Sequence, residues 1–416
     1  MFTSFSTALS ALNANSTAID VIGNNLANMN TTGFKANVVS FYDLVTQSLG
    51  AGLGETQVGF GVGRPVTLRV FSQGAIKTSA GDLDAAIQGD GFLVIKDKST
   101  DGILYTRGGN LVVDKSGNLL TATGQKVQGW TSLNGNILTT EPTGDIVIPV
   151  GQLKPPVTTT SFSFDVNLDA SATAGTPSGS FSSSIEVFDS LGESHVARVD
   201  YTKDTTDANT WNYSLTFPDA DVDTPIAPVT GTLVFDSGGH LTDPASTDPM
   251  PSIDIAGLKT GAADMTITWN LYDGLTPRFT QFAQPSAPSA NAQDGAPAAQ
   301  LLHVGIGNGG VVLAQFSDGK QTIVGQLAMA SIRNPESLIS VGENAYGLSA
   351  KSALPAIGLP GTGGRGTILG GAIESSNVDI AREFTNLIVL QRGYQANAKV
   401  ITTVDDLSQE TINLKR

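Results

Sequence analysis

The 416-residue sequence predicts a multidomain α+β protein, with a helix at each end and two mostly antiparallel β units between. Both termini carry apolar residues at alternating four-and-three spacing, and the interior holds short β-branched runs separated by turn residues. Proline-rich segments bracket the second set of strands.

The first helix is expected over residues 3–28, where Asp20 is the single charge. Its apolar positions Phe5, Leu9, Leu12, Ile19 and Leu26 form a heptad seam, with Ser16 and Gly23 as gaps that bury little area. Asn28, Asn30 and Gly33 supply the stop. The C-terminal helix is expected to follow Gly370-Gly371, with Ser376 and Asp379 resembling a capping box. Its seam runs through Ile380, Phe384, Leu387, Tyr394, Ala398, Ile401 and Ile412, interrupted at Gln391, Asp405 and Ser408. No proline occurs from 377 to 416, which permits a helix of about 35 residues and roughly 50 Å. Each stripe is narrow and broken, so each helix needs the other or a neighbouring subunit.

Glycines 50, 52, 54, 59, 61 and 63 mark an extended connector after the first helix. Strands are expected at 66–71, 92–95, 111–113 and 146–150, with a turn at Lys115-Ser116-Gly117-Asn118. A second β unit opens at Pro155-Pro156, with strands near 185–188, 196–201, 211–217, 233–235 and 265–271. Pro285, Pro288 and Pro297 close it as a linker-like stretch. Strands resume at 311–316 and 323–331, so one β unit interrupts another. The boundaries expected are 1–28, 29–71, 72–150, 151–292, 293–371 and 372–416.

The formal net charge of −15 argues against nucleic acid and anionic membrane surfaces as partners, and no apolar segment is long enough to insert in a membrane. The absence of cysteine excludes disulfides, thiolate metal sites and thiol nucleophiles. The first basic residue is Lys35, so a basic n-region of a secretory signal is missing. Gly305, Gly307 and Gly310 match a phosphate-loop pattern but precede a strand-like run instead of a helix. Asp219, Asp221 and Asp223 begin like a calcium loop, yet Thr224 and Thr230 stand where glycine and glutamate are required. His195, His240 and His303 show no ligand spacing. No catalytic residue, metal ligand or cofactor is expected, and the chain does not read as an enzyme.

Three blocks carry a resemblance. Ile22-Gly23-Asn24-Asn25-Leu26-Ala27-Asn28, continuing through Asn30-Thr31-Thr32-Gly33-Phe34-Lys35, resembles the N-terminal signature of bacterial flagellar rod and hook axial proteins. Asn377-Val378-Asp379, with Gln391-Arg392-Gly393-Tyr394-Gln395-Ala396-Asn397-Ala398-Lys399-Val400, is similar to the matching C-terminal signature. The stretch from Gln73-Gly74 to Gly91-Phe92 resembles the first inner-domain motif of that family. The resemblance implies that the terminal helices pair as a coiled coil enclosing two nested β domains. It also implies a helical homopolymer, a hollow tube meeting rod, cap and hook–filament junction proteins after type III export. The length and the inserted β unit point to a hook member, the curved universal joint, located outside the cell. An enlarged distal-rod member, or a secreted β-rich polysaccharide-binding protein or enzyme, stays open as an alternative.

Overall fold

The computed structural model describes residues 2–44, 47–48, 57–133 and 135–413. Gly50, Gly52 and Gly54 of the expected connector lie outside the described residues, as do residues 414–416 of the expected second helix. Helix α1 spans Phe2–Ala27 and helix α2 spans Ile380–Asn413. Asp379 caps α2, because its Oδ1 accepts the Arg382 N–H at 3.2 Å. The expected capping box therefore shifts by one role: Asp379 is the cap itself, and Ser376 Oγ accepts the Val378 N–H instead.

The helices pack antiparallel, with Asn15 against Gly393 and with Ala18 and Ile22 across a groove from Arg382 and Leu390. The residues that α1 buries are Ala8, Ala14, Ala18, Ile22 and Asn25. This is not the stripe picked out by four-and-three spacing: Phe5 and Leu9 are exposed, and Leu12, Ile19 and Leu26 are half-buried. On α2, Leu387, Ala398 and Ile401 are half-buried, whereas Ile380, Phe384, Tyr394 and Ile412 are exposed. Small residues let the two backbones approach closely, and the larger side chains are left on the outer faces.

Two compact units make up the chain. The first comprises Met1–Val150, His303–Gln315 and Gln321–Arg416; the second comprises Gly151–Leu302 and Phe316–Lys320.

In the first unit the connector folds back on itself, pairing Asn37–Ser40 antiparallel with Val66–Arg69 instead of running as one extended segment. The central strand Phe92–Lys96 pairs with Ile103–Thr106, Lys126–Leu133 and Met329–Ser331. Phe71, Phe92 and Tyr346 meet edge to face on its core, with ring centroids 5.4–6.0 Å apart. Two short ladders matter most here. Ala85–Gln88 pairs with Thr367–Gly370, and Ile76–Thr78 pairs with Ala372–Glu374, which carries the late chain back beside the early chain. The expected strand at 146–150 does not form; Val147 makes an isolated bridge to Asn118 while Ile146 and Ile148 point into the core. Its alternation reflects burial without a ladder.

The second unit stacks two sheets over one core. One is the antiparallel meander Ser180–Phe188, Ser194–Lys203, Thr210–Thr216, Val229–Phe235 and Leu241–Asp243. The other is built on Ser161–Asn167, which pairs in parallel with Met265–Trp269 and Phe279–Thr280 and antiparallel with Ala287–Gln293. That last strand corrects the linker expected around Pro285 and Pro288. Pro288 is tolerated because the strand lies at an edge, opposite the irregularity between Asp165 and Val166.

Trp269 is fully buried among Phe162, Tyr213 and Phe279, with centroids 5.1–6.1 Å away. Trp269→Ala is expected to cost the second unit about 3–5 kcal/mol through the cavity it leaves. Calorimetry should show a lowered unfolding transition and limited proteolysis should cut first between 151 and 302; an unshifted transition would contradict this core.

Candidate functional site

The end of α1, the start of the first β unit and the approach to α2 converge on one buried cluster. Helix α1 stops because the Asn28 N–H is shared between the carbonyls of Asn24 and Asn25, at 3.2 and 3.1 Å, and its side-chain amide turns back to Asn24. Thr31 Oγ1 then donates to Asn28 Oδ1 at 3.1 Å. Gly33 has φ +71°, and a Cβ there would lie 2.6 Å from the Arg107 carbonyl, so both conformation and space require glycine. Its N–H donates to the Glu374 carbonyl at 2.8 Å.

Glu374 is the centre. Its Oε1 accepts Lys35 Nζ at 2.6 Å and the Gly74 N–H at 2.8 Å, and its Oε2 accepts Arg107 Nη1 at 3.3 Å. The side chains of Lys35 and Glu374 are fully buried and Arg107 is nearly so. Two cations share one carboxylate. The surplus positive charge is met by the Ser72 carbonyl, 2.8 Å from Lys35 Nζ, by the Gly89 carbonyl, 3.0 Å from Arg107 Nη2, and by the Phe92 ring face 5.4 Å from the guanidinium. Burial pushes the Lys35 ammonium below the ordinary lysine value; the bond and charge of Glu374 oppose the shift, and Arg107 adds to it.

Two asparagine amides extend the cluster. Asn25 Oδ1 accepts the Asn37 N–H at 2.9 Å, while its Nδ2 donates to the Asn37 carbonyl at 2.7 Å, so one side chain acts as a ladder rung for the returning strand. Asn377 Oδ1 accepts the Ala36 N–H at 2.7 Å, and its Nδ2 donates to the Val70 and Ser72 carbonyls at 2.9 and 3.1 Å. Every one of these bonds joins segments far apart in sequence except the Asn25 pair, and together they hold both helices to one β unit.

Of the expected signature residues, Asn25, Gly33, Lys35 and Asn377 meet here, with Phe34 half-buried beside them and Asn24 and Asn28 forming the helix stop. Asn30 is exposed. Gln391, Arg392 and Gln395 lie away from the cluster on the exposed surface of α2, and Asn397 donates to the Gly393 carbonyl of its own helix. Sequence reasoning passed over Arg107 and Glu374. The available signal was charge scarcity: between Arg365 and Asp379, Glu374 is the single ionisable residue. The glycine pattern at 305–310 opens onto the strand Val311–Phe316, as expected. Asp221 is engaged by the His195 ring at 2.8 Å.

Paired terminal helices tied into a β unit, with a second β unit inserted, are the architecture of a flagellar axial protein. Four family models match in chain order: flagella basal body rod protein at 5–35, flagellar hook protein FlgE/F/G D1 domain at 86–182, flagellar basal body protein FlaE D2 domain at 165–296, and flagellar basal body rod FlgEFG protein C-terminal at 369–414. The chain is 34% identical to the flagellar hook protein FlgE of Treponema pallidum over all of both chains. It is 31% identical to that of Escherichia coli over 99% of this chain and 100% of the other. The crystal structure of Helicobacter pylori flagellar hook protein FlgE2 shares the fold, with TM-score 0.52 at 15% identity over 70% of this chain and 99% of that one. The chain belongs to the flagellar hook protein FlgE family.

Glu374→Gln leaves two buried cations without a counter-charge and is expected to destabilise the first unit by about 3–5 kcal/mol in denaturant titration. Lys35 sets a pH dependence. Between its lowered value and the ordinary lysine value the unfolded chain binds more protons, so stability rises with pH across that window. Lys35→Met should remove this contribution and lower the slope in that window; an unchanged slope would mean Lys35 is not its source.

Proposed function

We propose that this chain is the structural subunit of a bacterial flagellar hook, polymerising helically into a curved hollow tube that is the universal joint between rod and filament. The observation that carries this reading is the unpartnered apolar surface of the two helices. Phe5 and Leu9 on α1, and Ile380, Phe384, Ile388, Val389, Tyr394, Leu407 and Ile412 on α2, are all exposed. A monomer gains nothing from keeping such side chains in water along both helices. Opposite Asn15, α2 continues for 20 residues to Asn413 while α1 has about 13 left, so the end of α2 has no α1 beside it. In the assembled tube the seam residues Phe5, Leu9, Leu12, Ile19 and Leu26, with Ile380, Phe384, Leu387, Tyr394, Ala398 and Ile401, bury against neighbouring copies as an inner coiled coil. The first β unit forms a middle layer (72–150 and 293–371) and the second unit an outer layer (151–292). Rod, cap and hook–filament junction proteins, and the flagellar export apparatus, are the partners this role requires. Full-length similarity to hook proteins favours the hook over a distal-rod role.

Deleting the gene should give non-motile cells whose flagella stop after the rod; loss of the distal rod as well would reassign the protein. Purified Ile388→Glu/Val389→Glu chain should keep its far-ultraviolet spectrum yet fail to sediment as polymer under conditions where the unaltered chain does. Undiminished polymerisation of that variant would remove these helix faces from the assembly.

A further inference from the structure

Glu383 stands apart from the other carboxylates of the helices. It sits in the first turn of α2, only 3% exposed, and has no hydrogen-bond or ion-pair partner among the described residues. It lines a groove of about 270 Å³ in the first unit, where apolar side chains such as Ala18, Ile22, Val38 and Leu390 share the wall with Asn37 and Asn386. The positive end of the α2 dipole lies close by and offsets part of the cost of placing a carboxylate there. It supplies no donor to the carboxylate oxygens, and a buried charge that neither Asn386 nor Arg382 of the same wall pairs with is costly. Arg382 lines the same groove and does not pair with Glu383.

We propose that this groove is a receptor for a guanidinium from a second copy of the chain, and that Arg392 on the neighbour's α2 fills it. The inference rests on the polymer reading above and adds the contact that sets how one α2 registers on the next. Charge limits the choice. Helix α1 offers Asp20 as its only charge, and the cations of α2 within the described residues are Arg382, Arg392 and Lys399. Arg382 is already on the groove wall. Arg392 is exposed and takes part in no ion pair among the described residues. Its guanidinium is flat and weakly hydrated, so it enters a largely buried groove at lower cost than the compact ammonium of Lys399, and it presents two parallel donors to one carboxylate. Glu383 and Arg392 stand nine residues apart, about 13 Å along the axis, too far to meet within one helix. Their pairing is therefore between copies. Each copy then carries one receptor and one guanidinium on different stretches of α2; in the polymer the two engage different neighbours, the head-to-tail pattern that propagates.

The native chain has no cysteine, so crosslinks report only introduced thiols. Chains carrying Glu383→Cys and Arg392→Cys, mixed with each other, polymerised and mildly oxidised, should give a disulfide-linked heterodimer. A polymer that forms without this product overturns the groove assignment and leaves the hook reading standing. Failure of the unaltered chain to polymerise counts against the hook reading itself. Charge reversal supplies the second arm. Glu383→Arg and Arg392→Glu should each lower polymer yield by about tenfold or more, the scale of one desolvated ion pair, and the double variant should recover most of it. Additive losses in the double variant would overturn the pairing.

Discussion

Everything else in the first unit depends on one carboxylate shared by two cations. Glu374 and Lys35 are separated by 339 residues, and their bond closes the chain into a loop within which both β units are built. A buried ion pair contributes little net stability, because desolvation consumes most of the Coulomb attraction. Its value is in specification. Only one arrangement of the three segments gives Lys35, Arg107 and the Gly74 amide their acceptor, so misdocking leaves a buried charge exposed to no partner. The asparagines act in the same sense: Asn25 and Asn377 satisfy backbone groups that neither helix nor sheet reaches.

From this fixed point mechanical character grades outward. Near the cluster, backbone approaches are close enough that a Cβ at Gly33 or Gly74 would overlap a carbonyl. Along the helices, contact passes through alanines and through Gly393, a packing that buries modest area and keeps the larger apolar groups outward. On the hook reading proposed above, a closely packed root and helices with exposed apolar faces suit a polymer that bends, since neighbouring copies would exchange weak contacts while each root keeps its shape. The inserted unit, with its own aromatic core around Trp211 and Trp269, holds together without help from that root.

The sequence made the existence and extent of both helices legible, since proline-free apolar spacing over 26 and 34 residues has few other readings. It did not separate the face buried within one chain from the face left for neighbours. Periodicity ranks residues by hydrophobicity, whereas most of what α1 buries is small, so Ala8, Ala14 and Ala18 are buried while Phe5 and Leu9 stay exposed. Strands inside the meander, such as Thr210–Thr216 and Val229–Phe235, were legible from β-branched and aromatic runs. The strand Ala287–Gln293 was not, because alanine, serine and proline mimic a linker and edge placement is a tertiary fact. Most of the buried cluster could be named from its signature residues. Arg107 gave no pattern until folding brought it to the cluster, and Glu374 could have been found only by its isolation as the single ionisable residue between Arg365 and Asp379.

The cluster around Glu374, and not the helix pair, holds the two ends of the chain together. Native-state hydrogen exchange on the purified monomer tests it most directly, by comparing the Gly33, Ala36, Asn37 and Gly74 amides with those of the core strand Phe92–Lys96 and of α2 beyond Leu390. The cluster amides should exchange only with global unfolding, as slowly as the core strand, while the distal part of α2 exchanges far faster. Cluster amides that open as readily as distal α2, or distal α2 amides as protected as the core strand, would contradict it.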